Sequence, residues 1–271
     1  MRPWLALMLL LGGMAAGEGE MPAAAPLPVI SFTATSMSLS MSPGRPSEMV
    51  DFRMKYEEVR LECQRLTYSL AALAGAPRPV LGKADLTGGP DGRVLYDSSA
   101  SQLPQVSFRG VMRPGSLNVR RLDPEPARPT EVRFRAEASD LGDVDGIIAT
   151  PDGPRRHVIW AERAVLEFVG TLAAASTIGI DTPRLVSLHF YGSSQPARPA
   201  TVLRLRPGAP PEPHQVEALL AAHGYEMRAS GSVISVYFDD LGALERLDGV
   251  EDFEGDGLVP MRGANRPILK K

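Results

Sequence analysis

The 271-residue chain contains a single cysteine, Cys63. One cysteine cannot form a disulfide within the chain, and it cannot build a multi-cysteine metal site. Cys63 occupies an apolar position in an alternating segment, which favours a small buried side chain over a reactive thiol. The sequence therefore predicts a fold without internal disulfides or cysteine-ligated metal.

Recognisable catalytic motifs are missing as well. No serine lies in a GxSxG or SxxK motif, and no Ser/His/Asp order is evident. Four histidines are present, and none has the spacing of paired metal ligands; they are His157, His189, His214 and His223. We therefore expect a protein that is not an enzyme, that needs no cofactor, and whose histidines are structural.

One acidic segment, 140–146 (DLGDVDG), partly matches a calcium-binding loop. An oxygen ligand is expected two residues before Asp143, where this chain has Leu141, and no helix pair flanks the segment. We expect an acidic turn rather than a metal site. The candidate ligands for the alternative are Asp140, Asp143 and Asp145.

An excess of positive charge is also lacking. The chain has 29 lysines and arginines against 32 acidic residues, and its pI is near 5.9. The two signs are interspersed, so no basic stripe marks a surface for nucleic acid. We expect no nucleic-acid partner.

Long apolar runs are absent, and the N-terminal run is too short to span a membrane. Arg2 precedes the apolar residues 4–11, and the small residues 15–17 follow them before Glu18. This is the pattern of a secretory signal peptide. We expect a signal peptide over residues 1–17, a flexible leader over 18–28, and a mature chain without a transmembrane span in the periplasm or outside the cell.

Two-residue alternation of apolar and polar side chains is the main feature that the sequence does have. It is most regular over residues 50–70 (VDFRMKYEEVRLECQRLTYSL), where pairs of polar residues interrupt it at 57–58 and 64–65. Alternation predicts strands with one buried face, and a doubled polar residue predicts a bulge. We expect three short strands that bend rather than reverse in hairpins, within a curved, folded-over sheet.

A weaker alternating region lies at residues 157–172, and a short FxAxxxxL pattern begins at both Phe32 and Phe134. The two regions predict a sheet whose apolar face forms either an ordinary sandwich core or a groove for an acyl chain. The candidate groove residues are Phe52, Met54, Tyr56, Val59, Leu61, Leu66, Tyr68, Phe134, Trp160, Leu166 and Phe168.

The C-terminal region predicts a different architecture. Strands are expected at 201–206, 225–229, 233–238 and 250–253, with one helix over 212–222 and a second containing Leu241, Leu244 and Leu247. This is the βαββαβ order of a ferredoxin-like domain. The expected organisation is a mainly β chain with a jellyroll or sandwich domain over 29–191, a linker over 192–200, a small ferredoxin-like α+β domain over 201–254, and an irregular tail over 255–271.

The segments FTATSMSLSM and FRMKYEEVRLECQRLTYSL resemble the folded-over β-jellyroll of the OstA-like lipopolysaccharide-transport periplasmic proteins. Residues 58–61 (EVRL) correspond to that family's G-x-V-x-I strand, with Glu58 in place of the glycine, and residues 63–68 to its A-x-x-x-x-Y rhythm. The resemblance covers residues 29–190. It implies a periplasmic protein without catalytic residues, whose concave sheet binds lipid or lipopolysaccharide acyl chains and whose sheet edges pair with like domains.

A second resemblance lies in residues 236–256, which are similar to the end of subtilisin-propeptide-like inhibitor domains. The matching positions are Leu244, Leu247, Gly249, Val250 and Glu254. This resemblance implies a module that docks on a protease through its sheet. The function expected first is an exported, non-enzymatic binding protein of the bacterial envelope, and the alternative is such an inhibitor or interaction module.

Overall fold

The structure is a computed structural model, and it describes residues 30–40, 42–56, 59–72, 80–99, 108–122, 131–150, 153–171, 184–209, 214–239, 244–255 and 261–262. Strands make up 74% of these residues, and the described part contains one α-helix, α1 (Val216–Ala222). The prediction of a mainly β chain is confirmed, and the finer jellyroll assignment stays a prediction. The strands are β1 Ile30–Thr33, β2 Ser36–Ser38, β3 Pro46–Tyr56, β4 Val59–Ala71, β5 Val80–Thr87, β6 Leu95–Asp97, β7 Phe108–Met112, β8 Ser116–Arg121, β9 Glu131–Thr150, β10 Gly153–Thr171, β11 Arg184–Tyr191, β12 Ser193–Ser194, β13 Ala197–Arg198, β14 Ala200–Leu205, β15 Tyr225–Gly231, β16 Val233–Phe238, β17 Leu244–Asp248, β18 Asp252–Gly255 and β19 Met261–Arg262.

Four long strands, β3, β4, β9 and β10, change their apolar phase near the middle. In β4 the residues Gln64 and Arg65 are both exposed, while Cys63 before them and Leu66 after them are buried. The interruption predicted at 64–65 is therefore present. Asp51 interrupts β3 opposite this point with a φ of 50°. An extra outward residue of this kind bends a strand and returns its apolar side chains to the same face.

The interruption at residues 57–58 has a different meaning. These two residues lie outside the described ones, but Tyr56 and Val59 on either side of them are antiparallel partners. The chain therefore reverses between β3 and β4, and the prediction of a bend without reversal is wrong at this position. A hairpin of adjacent strands keeps both apolar faces on one side as a bulge does, so alternation alone does not distinguish the two.

Six antiparallel strands close into a ring. The edge of β4 that faces away from β3 is divided, with Arg60–Glu62 paired to β6 and Arg65–Ala71 paired to β5. The edge of β9 that faces away from β10 is divided in the same way between β8 and β7. Pairing of β5 with β8 and of β6 with β7 completes the ring β4–β5–β8–β9–β7–β6. Each long strand thus contributes one half to each of two facing layers.

The two layers share one large apolar core. In β9 and β10, the residues on the inner faces are buried on both sides of the bends, and they pack in the same cluster. Cys63 belongs to this core, and its burial raises the pKa of the thiol to about 12. The largest fully buried side chains are Phe52, Phe134, Met49, Leu61, Leu66, Leu70, Leu86, Ile159 and Leu203.

The C-terminal region extends the same sheet. Strand β14 pairs with β10, and β16 pairs with β11, so the two predicted domains share hydrogen-bonded strands. The predicted linker 192–200 contains the hairpin β12–β13. The predicted helix at 212–222 is present in part as α1.

The prediction of a second helix is wrong, and the structure does not show the ferredoxin-like domain. Leu244 and Leu247 lie in strand β17, paired with β16. Their spacing of three residues is typical of a helix face. In the structure a register shift beside Phe238 turns both leucines to the buried side of a strand. A bulge therefore reproduced the helical spacing.

Two glycines test how tightly the backbone packs. Gly249 and Gly142 have nearly equal φ values of 74° and 72°, but a Cβ on Gly249 would overlap the carbonyl oxygen of Val233, whereas no described atom lies within 4 Å of a Cβ on Gly142. We expect Gly142→Ala to lower the free energy of unfolding by about 1 kcal/mol, since only the left-handed conformation is strained. Gly249→Ala should cost more than about 2 kcal/mol, because strain and overlap add. Urea unfolding measures both, and equal losses would contradict this packing.

Candidate functional site

The predicted groove residues are mostly part of the closed core. Nine of the eleven belong to the shared apolar cluster, with exposures between 0% and 9%. The side chain of Tyr56 lies outside the described ones, and Trp160 points to the opposite face of its strand. Those in the core are Phe52, Met54, Val59, Leu61, Leu66, Tyr68, Phe134, Leu166 and Phe168.

Trp160 lies under the helix, on the outer face of the layer formed by β7, β9, β10, β14 and β15. It packs with Val158, Leu203, Val216 and Leu219 in a second, smaller apolar cluster. Helix α1 therefore covers the half of this outer face that lies over β10 and β14.

A cleft of about 700 Å³ continues this outer face beyond the helix. Strand alternation places side chains of β7, β9 and β10 in its floor, and the segment before α1 forms one wall. The lining residues are Ser99, Arg109, Gly110, Val111, Arg113, Asp143, Asp145, Gly146, Ile147, Arg156, His214 and Gln215. We call this site the polar cleft.

Two aspartates of β9 hold the wall of the polar cleft. The carboxylate of Asp145 accepts the backbone N–H of His214 at 3.0 Å, and that of Asp143 accepts the N–H of Val216 at 3.0 Å. The first N–H groups of a helix have no partner inside the helix, and a negative charge there is favourable. The side chain of Gln215, at the N-cap, makes no capping hydrogen bond. Asp143 thus caps α1 from a neighbouring strand, and Asp145 holds the residue before the N-cap.

Arginines give the polar cleft its chemical character. Arg156 donates to both oxygens of Asp145, from Nε at 2.8 Å and from Nη2 at 2.6 Å. Arg109 and Arg156 both pair with Ile147 in the strand register, so the two guanidinium side chains flank one apolar residue. Such a floor combines N–H donors for an anion with apolar contact surface.

The aspartates proposed as alternative calcium ligands have other partners. Asp143 caps the helix, and Asp145 binds Arg156 and the N–H of His214. Asp140 lies at the bend of β9 with a φ of 58° and its side chain 3.9 Å from Arg93. Among the described residues, no group of three acidic, histidine or cysteine side chains is placed to hold a metal ion. The DLGDVDG pattern therefore coincides with a bulge followed by two outward-facing carboxylates.

Arg109 and Arg156 were not among the residues predicted from the sequence. They lie on β7 and β10, and only the shared partner strand β9 brings them together. Each arginine alone reads as an ordinary solvent-facing residue of an alternating strand. The register of three strands is needed to find the site, and no local motif encodes it.

Comparisons of the chain with protein-family models, with curated proteins and with solved structures found no match. The resemblance to the OstA-like proteins therefore stays a prediction. No helix in the described part of the chain has the length and apolar character needed to cross a membrane.

The contact of Asp145 with the segment before α1 can be tested by substitution. In Asp145→Asn, one carboxylate oxygen becomes an amide NH₂ that faces the donors of Arg156, so we expect a loss of about 2 kcal/mol in unfolding free energy and faster hydrogen exchange in α1. The matched control is Asp140→Asn, because Asp140 has a side chain that is 69% exposed and asparagine tolerates its positive φ. We expect this control to change stability by less than about 0.5 kcal/mol. Similar exchange rates in both variants would show that Asp145 does not hold the start of α1.

His157 provides a pH test of the core. The pKa of His157 is lowered from 6.5 to about 4, mainly by burial. The hydrogen bond of Nδ1 with the Arg155 carbonyl opposes this shift, and the charge of Arg204 adds to it. The unfolded chain takes up this proton near pH 6.5 and the folded protein only near pH 4, so stability falls as the pH drops through this window. Between these two pH values the free energy of unfolding should fall less in His157→Gln than in the unchanged protein, by at least about 1 kcal/mol. If urea unfolding gives the same fall in stability for the variant and the unchanged protein over this interval, His157 is not responsible for the pH dependence.

Proposed function

We propose that the protein is an exported binding protein that holds an anionic amphiphile in the polar cleft. The observation that supports this most directly is the pair Arg109 and Arg156 on either side of Ile147. The ligand class is a molecule with a carboxylate or phosphate group and an apolar chain, which includes acidic lipids.

The anionic group fits the arginine side of the polar cleft. Asp145 forms an ion pair with Arg156, and Asp143 accepts the first N–H of α1. Arg109 on β7 and Arg113 just beyond it also line this side of the cleft, and Arg113 lies 3.8 Å from the carboxylate of Asp91. Guanidinium groups bind carboxylate and phosphate through paired N–H donors, so this side selects for a negative ligand.

The apolar chain fits the floor of the polar cleft. Val111 and Ile147 are partly buried and lie in the lining. The inner face, where the sequence placed an acyl chain, is filled by its own side chains, and Phe52, Leu61 and Leu66 are fully buried. A chain between the layers would have to displace this core, whereas a chain on the outer face does not. The proposal therefore retains the predicted lipid-like ligand and moves it to the other side of the sheet.

The alternative of a protease-inhibitor module has less support. It depended on a ferredoxin-like domain with a free sheet face, and the structure has strand β17 in place of the second helix. Strands β14 and β16 are paired to β10 and β11 instead of forming a separate unit. The polar cleft is the feature that favours a small ligand over a protease.

Calorimetric titration of the full chain with dodecyl phosphate tests the proposal. We expect saturable binding, weaker binding of uncharged dodecanol, and a loss of about tenfold in affinity in Arg109→Gln, because a charged hydrogen bond is removed. The control is Arg65→Gln, which changes an exposed arginine at the bend of β4. Equal affinity for the phosphate and the alcohol, or an equal loss in both variants, would overturn the assignment.

A further inference from the structure

A chain of polar side chains crosses the outer face of the second layer, where β9, β10, β11 and β16 lie side by side. Arg135 donates from Nε at 3.1 Å and from Nη2 at 2.6 Å to Oε1 of Glu167. The hydroxyl of Ser187 lies 3.4 Å from Oε2 of Glu167 and 3.0 Å from Nε2 of His189. On the far side, Nδ1 of His189 lies 2.8 Å from the hydroxyl of Ser235. The registers of β9, β10, β11 and β16 place all five side chains on one face.

The donors and acceptors give this chain a direction. A carboxylate can only accept, so Ser187 donates its single proton to Glu167. The oxygen of Ser187 then accepts the N–H at Nε2, and a neutral imidazole protonated at Nε2 has an acceptor at Nδ1. Ser235 therefore donates its hydroxyl proton to His189. This is the relation between a nucleophilic hydroxyl and the base that removes its proton.

Accessibility distinguishes the two serines. Ser187 is 3% exposed, whereas Ser235 and His189 are partly exposed on the outer surface. Burial lowers the pKa of His189, and the charge of Glu167 acts in the opposite direction. The imidazole is thus kept neutral and ready to accept a proton. Only Ser235 of this pair can be reached by a substrate.

The neighbouring strand β17 places an ion pair beside Ser235. Asp248 is the register partner of Ser235, and Nε of Arg246 lies 3.1 Å from its carboxylate. The guanidinium of Arg246 also stacks over the ring of Tyr237 at 4.1 Å, and that ring meets His189 edge-on at 5.8 Å. Arg246 therefore neutralises Asp248 on the face that carries Ser235 and His189.

We propose that Ser235 is an acyl-accepting nucleophile with His189 as its general base, acting on esters of small carboxylic acids. Ser187 and Glu167 are positioning residues. The Ser235 oxygen adds to the ester carbonyl while its proton passes to Nδ1, and the alcohol leaves with that proton as the C–O bond breaks. Water then gives a proton to the same nitrogen and adds to the acyl-serine, and release of the acid returns the proton to Ser235.

A fluorophosphonate, which loses fluoride when a serine attacks phosphorus, tests this site in the full chain. We expect one label, located at Ser235 by mass mapping of peptides. Ser235→Ala should abolish it, and His189→Gln should slow it by about 100-fold, as expected when a general base is removed. Ser187→Ala should slow it less, since it changes only the orientation of the imidazole.

The matched control is Ser232→Ala. Ser232 is exposed and donates to the carboxylate of Glu251 at 2.6 Å, but the structure shows no imidazole bonded to it among the described residues. This variant should keep the labelling rate of the unchanged protein. Absence of label, label at another serine, or an unchanged rate in His189→Gln would overturn the proposal. Mapping of the unchanged protein decides the position even where a variant does not fold, and binding of dodecyl phosphate should be the same in Ser235→Ala.

Discussion

The fold depends on where the four long strands bend. Each bend is made by residues that turn outward together, such as Gln64 and Arg65 in β4, with a positive φ at Asp51 in β3 and at Asp140 in β9. Without these extra residues, the apolar side chains after the bend would point to solvent. With them, one continuous core is shared by both layers, and closure of the six-stranded ring leaves its strands without free edges. The outer faces are then available for polar chemistry.

Alternation in the sequence predicts this core well, because every second residue of a strand with one buried face is apolar. The change of phase at 64–65, the mainly β composition and the buried state of Cys63 all follow from that pattern. Two local patterns were misleading because different backbones give the same spacing. The doubled glutamates lie between hairpin partners instead of at a bulge, and Leu244 and Leu247 have helical spacing in a strand whose pairing shifts by one residue.

The candidate sites could not be predicted because strand register brings them together. Arg109 and Arg156 share Ile147 as a partner. Ser235 lies beside His189, although a hairpin, two further strands and a helix separate their strands in the chain. No motif spans such distances. The same holds for Asp143 and Asp145, which resemble metal ligands in sequence and hold the start of a helix that lies far along the chain.

The arrangement around Trp160 has an optical consequence. The chain has two tryptophans, and the other, Trp4, lies in the segment predicted to be a signal peptide. Trp160 is 8% exposed beneath α1, and the guanidinium of Arg198 lies 3.8 Å from the centre of its ring. Lifting of the helix would bring water to the indole and shift its emission to longer wavelength. The protein therefore carries a built-in fluorophore that reports on the helix at the wall of the polar cleft.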